Sequence, residues 1–314
     1  MSSSTKKHIE VEIPRTIPKN TRIDAYIADD LKLFSRSQVK RRITRLRVNG
    51  SDAKVSRHLF PGDRLEITYS TEPEPHPEPE AIELRILYED RNVLVVDKQQ
   101  GMVVHPAGGN RSGTLVNALL WHSAGMKNGF ANDEGRPGIV HRLDKDTSGV
   151  IITAKDAETR DFLSEQFRRR RVMKRYLAIV EGSLPAGRGR IDTWIARDPH
   201  NRKRFTCLLP GSTASRGRRA LTFYRELKRL DGFTLVSLRP RTGRTHQLRV
   251  HMSHLGCPIV GDRLYGWKAR GRGSRPLMLH AHRLLIRLPG EQQPRTFEAP
   301  VPDRFDEFYS SSLR

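Results

Sequence analysis

The stretch Thr71-Glu-Pro-Glu-Pro-His-Pro-Glu-Pro-Glu80 puts a proline at every second position from Pro73 to Pro79. Each proline lacks a backbone N–H, fixes φ and drives the residue before it out of the helical region, so neither a helix nor a central strand can pass through. An extended, semi-rigid spacer is the conformation that remains. The chain therefore has to fold separately on either side of residues 71–82, as a small module over 15–70 and a large one over 83–312. With 314 residues it is long enough for both, since one domain commonly takes ~100–200 residues.

The small module reads as an α/β unit. Ile23, Tyr26, Ile27 and Leu31 recur at helical spacing, and Ser35-Arg-Ser-Gln38 can form a capping box ahead of a second helix carrying Val39, Ile43 and Leu46. Val48-Asn49-Gly50 marks a tight turn, and Leu59 to Ile67 reads as a turn and a closing strand. Arg36, Lys40, Arg41, Arg42, Arg45 and Arg47 crowd the second helix and its end. Any one of them is explained by solvation; together they suit a phosphate backbone. Net charge points the same way: 57 Lys and Arg against 35 Asp and Glu give +22, with a pI near 10.7, the footprint of a polyanion binder. The four spacer glutamates repel phosphate and keep that segment away from a bound polyanion.

Membrane attachment is not expected. No stretch approaches the ~18 apolar residues of a span, no basic amphipathic helix is rich in Trp and Phe, and the N-terminal residues lack a signal core. Cys207 and Cys257 lie far apart and suggest neither a disulfide framework nor a zinc site. A reducing, cytoplasmic setting fits.

In the large module strands and helices interleave without a β-α-β rhythm or a glycine fingerprint, which argues against a dinucleotide fold and for α+β with a mixed, largely antiparallel sheet. Strand runs flank Asp90-Arg-Asn92, and Gly108-Gly-Asn110 breaks the chain before Leu115, Leu119 and Leu120. Asp156 can cap a helix with Leu163 and Phe167 on one face, ended by Arg168 to Arg171. Tyr176 to Val180 and Phe233 to Pro240 read as strands, and Gly187 to Arg219 as loops and short strands. A helix capped by Thr245 and stopped at Gly256 buries Leu248, Met252 and Leu255. Trp267 to Pro276 is a basic Gly/Arg loop, and Leu277 to Leu288 with Thr296 to Pro300 supply closing strands.

Chemistry concentrates in Pro137-Gly-Ile-Val-His-Arg-Leu-Asp-Lys-Asp-Thr-Ser-Gly149, which leads into the β-branched run Val150 to Ala154. Asp144 sits between Arg142 and Lys145, a cationic setting that suits a carboxylate acting as nucleophile or base. Charge pattern alone leaves a charged hairpin loop equally open. His246, His251 and His254 do not share a helix face, so no metal is expected. Asp144 with Asp146 would suit a two-metal nuclease, but Arg142 and Lys145 already neutralise the charge a metal needs.

The string His141-Arg-Leu-Asp-Lys-Asp-Thr-Ser-Gly149 resembles the signature of the RluA family of RNA pseudouridine synthases, in which the Asp is catalytic. Lys174-Arg-Tyr176, Thr242-Gly-Arg-Thr-His-Gln-Leu-Arg-Val-His251 and Gly261-Asp-Arg-Leu-Tyr-Gly266 follow in the family's order. Ser35-Arg-Ser-Gln-Val-Lys40, Val48-Asn-Gly50 and Pro61-Gly-Asp63 resemble the alpha-L RNA-binding motif at the front of many members. The resemblance implies a pseudouridine synthase fold behind a small RNA-binding domain, isomerising uridine in structured RNA without a cofactor. It implies catalytic roles for Asp144, for Tyr176 as stacking ring and proton carrier, and for Arg249 as the carboxylate's partner, with Arg244 the nearest wrong choice for that role. Arg142 resembles the arginine that enters the RNA beside the flipped base, and by the same analogy Leu279 is expected to pack on the uracil's other side. Arg36, Lys40, Arg41 and Arg244 are the further expected RNA contacts. Family members usually have Asn-Lys-Pro where this chain has Asp97-Lys98-Gln99, a loss of one stiffening ring with a local effect expected. The motifs are most similar to the branch acting on 23S-type large-subunit ribosomal RNA, free or in the assembling subunit. Transfer RNA stays open as substrate, an RNA-binding assembly factor is the non-enzymatic alternative, and a monomer is expected.

Overall fold

The computed structural model describes residues 6–34, 36–71, 77–106, 110–123, 136–208, 217–266 and 275–312, without the side chains of Ser37, Lys40, Arg41, Ser311 and Ser312. The chain divides into two compact units, Met1–Pro75 and His76–Arg314.

The first unit is a four-stranded antiparallel sheet in the order β1-β4-β2-β3: β1 Lys6–Glu12, β2 Ile43–Val48, β3 Ser51–Asp52 and β4 Arg64–Ser70. A short helix α1, Ile23–Ala25, widens into a π turn, Tyr26–Asp30, and α2 spans Arg36–Arg42. Leu65, Ile67 and Tyr69 alternate inward from β4 onto Ile13, Ile23, Ile27 and Val39. Asn49 (φ 54°) and Gly50 (φ 76°) are both left-handed, as a two-residue hairpin turn requires. The second helix is shorter than its spacing predicts: Ile43 and Leu46 lie on β2, paired with Tyr69 and Ile67. The run Ile43 to Val48 satisfies a helical stripe and a period-two strand equally well, and β4 supplies the partner that decides between them. β1, ahead of residue 15, forms the other edge. Arg36 pairs with Asp29 at 3.0 Å, and Arg42 lies over the Phe34 ring. The side chains of Lys40 and Arg41, and Ser35 of the expected cap, fall outside the described residues.

The second unit is α+β, built on one ten-stranded sheet in the order β10-β9-β11-β12-β8-β13-β7-β6-β5, with β14 beside β13. Its strands are β5 Arg85–Glu89, β6 Val93–Lys98, β7 Ser148–Ala154, β8 Met173–Glu181, β9 Arg188–Arg197, β10 Phe205–Leu208, β11 Arg218–Leu230, β12 Phe233–Pro240, β13 Leu279–Ile286 and β14 Arg295–Glu298. All pairs are antiparallel except β7 with β13, so the sheet is mixed and largely antiparallel, as expected. The helices are α3 Leu115–His122, α4 Ala157–Arg168, α5 Gln247–His254 and α6 Asp303–Ser312. Asp156 caps α4 through the Thr159 N–H at 2.8 Å. None of the described helices is long and apolar enough to cross a membrane. Glu78 and Glu80, at the end of the proline-rich stretch, hold to α3 through the Asn117 amide and the Gly113 N–H.

Three local readings change. Residues 187–219 hold long strands, because β9 and the start of β11 bury Ile191, Ile195 and Ala220 on one face and turn Arg188, Arg190 and Arg219 outward; the arginines mask an alternating pattern. Thr245 does not cap α5; His246 takes that place in a left-handed conformation (φ 55°) with no side-chain cap. And α6, not foreseen, buries Phe305 and Phe308.

β7 and β13 pair in parallel at Ser148 with His280 and Gly149 with Ala281. Gly149 has φ +116°, and a Cβ there would collide with the Ala281 backbone. Gly149→Ala is therefore expected to destabilise the fold by roughly 2–4 kcal/mol, from the forbidden φ and the collision together. Thermal unfolding checks this, and an unchanged melting temperature would contradict it.

Candidate active site

The residues 137–147 arrive at β7 already fixed. Lys98, at the end of β6 and 1% exposed, donates to the carbonyls of Gln99 (2.8 Å), Met102 (2.8 Å) and Lys145 (3.1 Å). Burial lowers its ammonium to about 8, opposed by the charges of Asp146 and Asp144. The Gln100 amide donates to the carbonyls of Asp146 (2.7 Å) and Leu277 (2.9 Å), and the Gly101 N–H to Lys145 (2.9 Å). Where a proline ring would stiffen the turn, its backbone is held by these bonds. On the other side, His141 Nε2 accepts the Ile152 N–H at 3.1 Å while its ring stacks on Phe167. Burial pushes that imidazole down to about 3, so it is neutral with its proton on Nδ1.

This clamp presents the Asp144 carboxylate, 21% exposed, to Arg249 of α5, 8% exposed. The two are 3.6 Å apart, from Nη1 to Oδ2. Arg249 spends its other edge on a carboxylate that the sequence reading quoted without a role: Nε and Nη2 bind Asp262 in a fork at 2.7 and 2.8 Å. Asp262 has no exposed side-chain surface and also accepts the N–H groups of Leu264 (2.9 Å) and Tyr265 (3.0 Å). Arg249 thus has two acids, and its close hydrogen-bonded partner is Asp262, not Asp144. The Tyr265 ring lies under the guanidinium at 5.3 Å.

Tyr265 continues the chain of contacts. Its hydroxyl accepts the Phe205 N–H at 2.9 Å and lies 3.0 Å from His246 Nδ1. Burial lowers the His246 pKa, with Asp144 acting in the opposite sense. Beneath, Gln247 ties the 242–244 turn, accepting from Thr242 Oγ1 (2.7 Å) and the Arg244 N–H (3.0 Å). His251 is fully buried between Thr193 and Thr222, and burial lowers it to about 4. His251 serves internal packing, whereas His246 is half-buried and lines the cleft beside Asp144. Among the described residues no cluster of His, Cys, Asp and Glu could hold a metal ion.

A cleft of about 550 Å³ opens over this arrangement, within the ~300–1,000 Å³ usual for small-ligand sites. Asp144, Tyr176, Arg249, Arg142, Arg244 and Leu279 all line it, so the expected site residues of the large module come together. Tyr176, on β8, is 9% exposed, and burial and then the Asp144 charge push its phenol well above the ordinary range. Leu279, on β13, is 3% exposed. Arg36 belongs to the first unit.

A chain with one carboxylate beside a shared arginine, a protonated buried tyrosine and a cationic cleft has the makings of an enzyme acting on a polyanion. A family model described as RNA pseudouridylate synthase matches residues 92–254. "Ribosomal large subunit pseudouridine synthase D" of Borreliella burgdorferi is 41% identical over 96% of this chain and 93% of that protein. The protein of the same name from Xanthomonas campestris pv. campestris is 38% identical, over 92% and 88%. Among solved structures, "Human RNA Pseudouridylate Synthase Domain Containing 1" superposes with a TM-score of 0.56 at 28% identity, covering 74% of this chain and 96% of that one. The chain belongs to the RNA pseudouridine synthase family and is an isomerase acting on RNA.

Proposed function

We propose that this enzyme converts uridine to pseudouridine in large-subunit ribosomal RNA, with Asp144 as the carboxylate that carries the reaction. The observation behind it is the meeting of Asp144, Arg249 and Tyr176 in one cleft. A glycosidase uses two carboxylates because an alcohol leaves and water enters. In this isomerisation the departing uracil is recaptured: the N1–C1′ bond breaks, a C5–C1′ bond forms, N1 gains a proton and C5 loses one. No atom enters from outside, so one carboxylate suffices. Asp144 attacks C1′ of the ribose or the uracil ring, or promotes a glycal-like intermediate, and Arg249 Nη1 stabilises its charge. Tyr176, kept protonated by burial, stacks on the uracil and acts as a proton relay, its hydroxyl passing its own proton on toward N1 or solvent as its oxygen takes the one lost from C5. Leu279 closes the opposite face.

A base in a duplex or stack must be extruded to reach this cleft, at a few kcal/mol, and Arg142, exposed on the rim, fills the space it leaves. The first unit, which begins with β1 ahead of residue 15, is the RNA-holding module, with Arg36, Lys40 and Arg41 on phosphates, residues 71–82 the connection, and 83–312 the catalytic domain. Arg244 adds a contact beside the cleft. The names of the Borreliella and Xanthomonas relatives favour 23S-type ribosomal RNA, free or in the assembling subunit, over transfer RNA. The enzyme works as a cytoplasmic monomer without a cofactor.

The test is to incubate the protein with total RNA from cells lacking it, without added metal or nucleotide, and to map pseudouridine at single-nucleotide resolution. New pseudouridine at discrete large-subunit positions is expected; if it appears in transfer RNA alone, the ribosomal reading fails. Binding should also fall by roughly 10³-fold between 50 and 200 mM salt if about six phosphates are contacted, which filter binding measures directly.

A further inference from the structure

The cleft holds far more positive charge than Asp144 needs. Asp144 is the sole carboxylate among its lining residues, and Arg249 already shares itself between Asp144 and Asp262. At the end formed by the 240–244 turn stand Lys174, Arg170, Arg218 and Arg244. Among the described residues none of these four makes an ion pair with a carboxylate; the Arg244 guanidinium donates to the Arg219 carbonyl, at 3.0 Å.

Lys174 is the telling member. It precedes Tyr176 by two residues on β8, so both side chains issue from one face of the strand, and both line the cleft. Its Nζ stands beside Gly243, where an added Cβ would lie 3.7 Å from it. Burial lowers its ammonium to about 8, and burial followed by the Arg218 and Arg170 charges lowers the Arg244 guanidinium. A half-buried cation among like charges costs stability unless an anion arrives. Among the described residues no carboxylate supplies one at this end of the cleft.

We propose that Lys174, flanked by Arg170, Arg218 and Arg244, forms a phosphodiester-binding subsite that holds the phosphate next to the uridine whose base reaches Asp144. This rests on the reading that uridine enters this cleft. Tyr176 and Lys174 then divide the nucleotide between them, the ring taking the base and the ammonium the backbone. Gly243 leaves the approach to Nζ open.

Ligand-observed NMR titrations of the full chain with uridine, uridine 3′-monophosphate, uridine 5′-monophosphate and inorganic phosphate test it, on wild type, Lys174→Met and Lys174→Arg. One monophosphate is expected to bind at least tenfold tighter than uridine. Lys174→Met loses that advantage and Lys174→Arg keeps most of it. Lys174→Met should melt no lower than wild type, since an unpaired cation has been removed, and inorganic phosphate should raise the melting temperature of wild type and Lys174→Arg but not of Lys174→Met. Monophosphates that bind no tighter than uridine, an advantage that survives Lys174→Met, or a Lys174→Met protein that melts well below wild type would each overturn the subsite. If RNA is isomerised without any phosphate preference, the subsite alone fails. If a Lys174-dependent preference is found but no RNA is modified, the subsite stands and the uridine reading fails.

Discussion

Asp144→Asn is expected to lower the single-turnover rate of pseudouridine formation by at least about 10⁴-fold, equivalent to roughly 5.5 kcal/mol of barrier. The substitution keeps the size and most of the shape of the side chain and removes the charge that either route of glycosidic cleavage requires. Because the reaction exchanges a C5–H bond for a C5–C bond, RNA tritiated at uracil C5 releases its label as product forms, and the loss is read directly. Folding should survive. Arg249 lies 3.6 Å from Asp144 but keeps two shorter bonds to Asp262, so no buried guanidinium is stranded. RNA affinity should hold or rise slightly, since a negative charge is lost from a cleft lined by cations. This pairing of lost chemistry with intact binding separates a reacting carboxylate from a structural one. Residual activity near a tenth of wild type would move the chemistry elsewhere, with Asp146 the first residue to examine.

What the sequence made legible, and what it hid, follows the range of the interactions. The run from His141 to Gly149 is one local string, and the cleft it lines contains Tyr176 and Arg249, whose strand and helix the apolar periodicity marked. Asp262 stood in a quoted motif with no role attached, because a bond from the middle of α5 to a residue 13 positions on, past the end of that helix, leaves no periodic trace. Lys98 carries no sequence signal beyond the missing proline after it. Its burial depends on carbonyls from Met102 and Lys145 converging on one ammonium, and those belong to different turns. In β9 and β11 the strand signal was present, with Ile191 and Ile195 two turns of the pleat apart, yet the outward arginines dominated composition. The fault in the first unit was of another kind. Ile43 and Leu46 suited either period, and only the presence of β4 chose between them.

Asp262→Ala is expected to cost about 3–5 kcal/mol of stability, the range for removing one partner of a buried ion pair. For a unit of this size each kcal/mol lowers the melting temperature by about 2–4 °C, giving a drop of roughly 6–20 °C. Two losses combine: the guanidinium of Arg249, 8% exposed, forfeits its fork, and the N–H groups of Leu264 and Tyr265 lose their acceptor. Asp262→Asn separates them, since its oxygen still accepts those two N–H groups while its amide nitrogen opposes an arginine donor. It should fall between wild type and Asp262→Ala. The combination Arg249→Met with Asp262→Ala removes the stranded charge and should melt above Asp262→Ala alone, with a coupling of about 2–3 kcal/mol. Stability and chemistry then part company. The double variant regains fold but not rate, because Asp144 has lost Nη1, the one cation oriented toward it by Asp262. Should the double variant recover activity along with stability, Asp262 acts only through the fold, and the role assigned to Arg249 beside Asp144 is withdrawn.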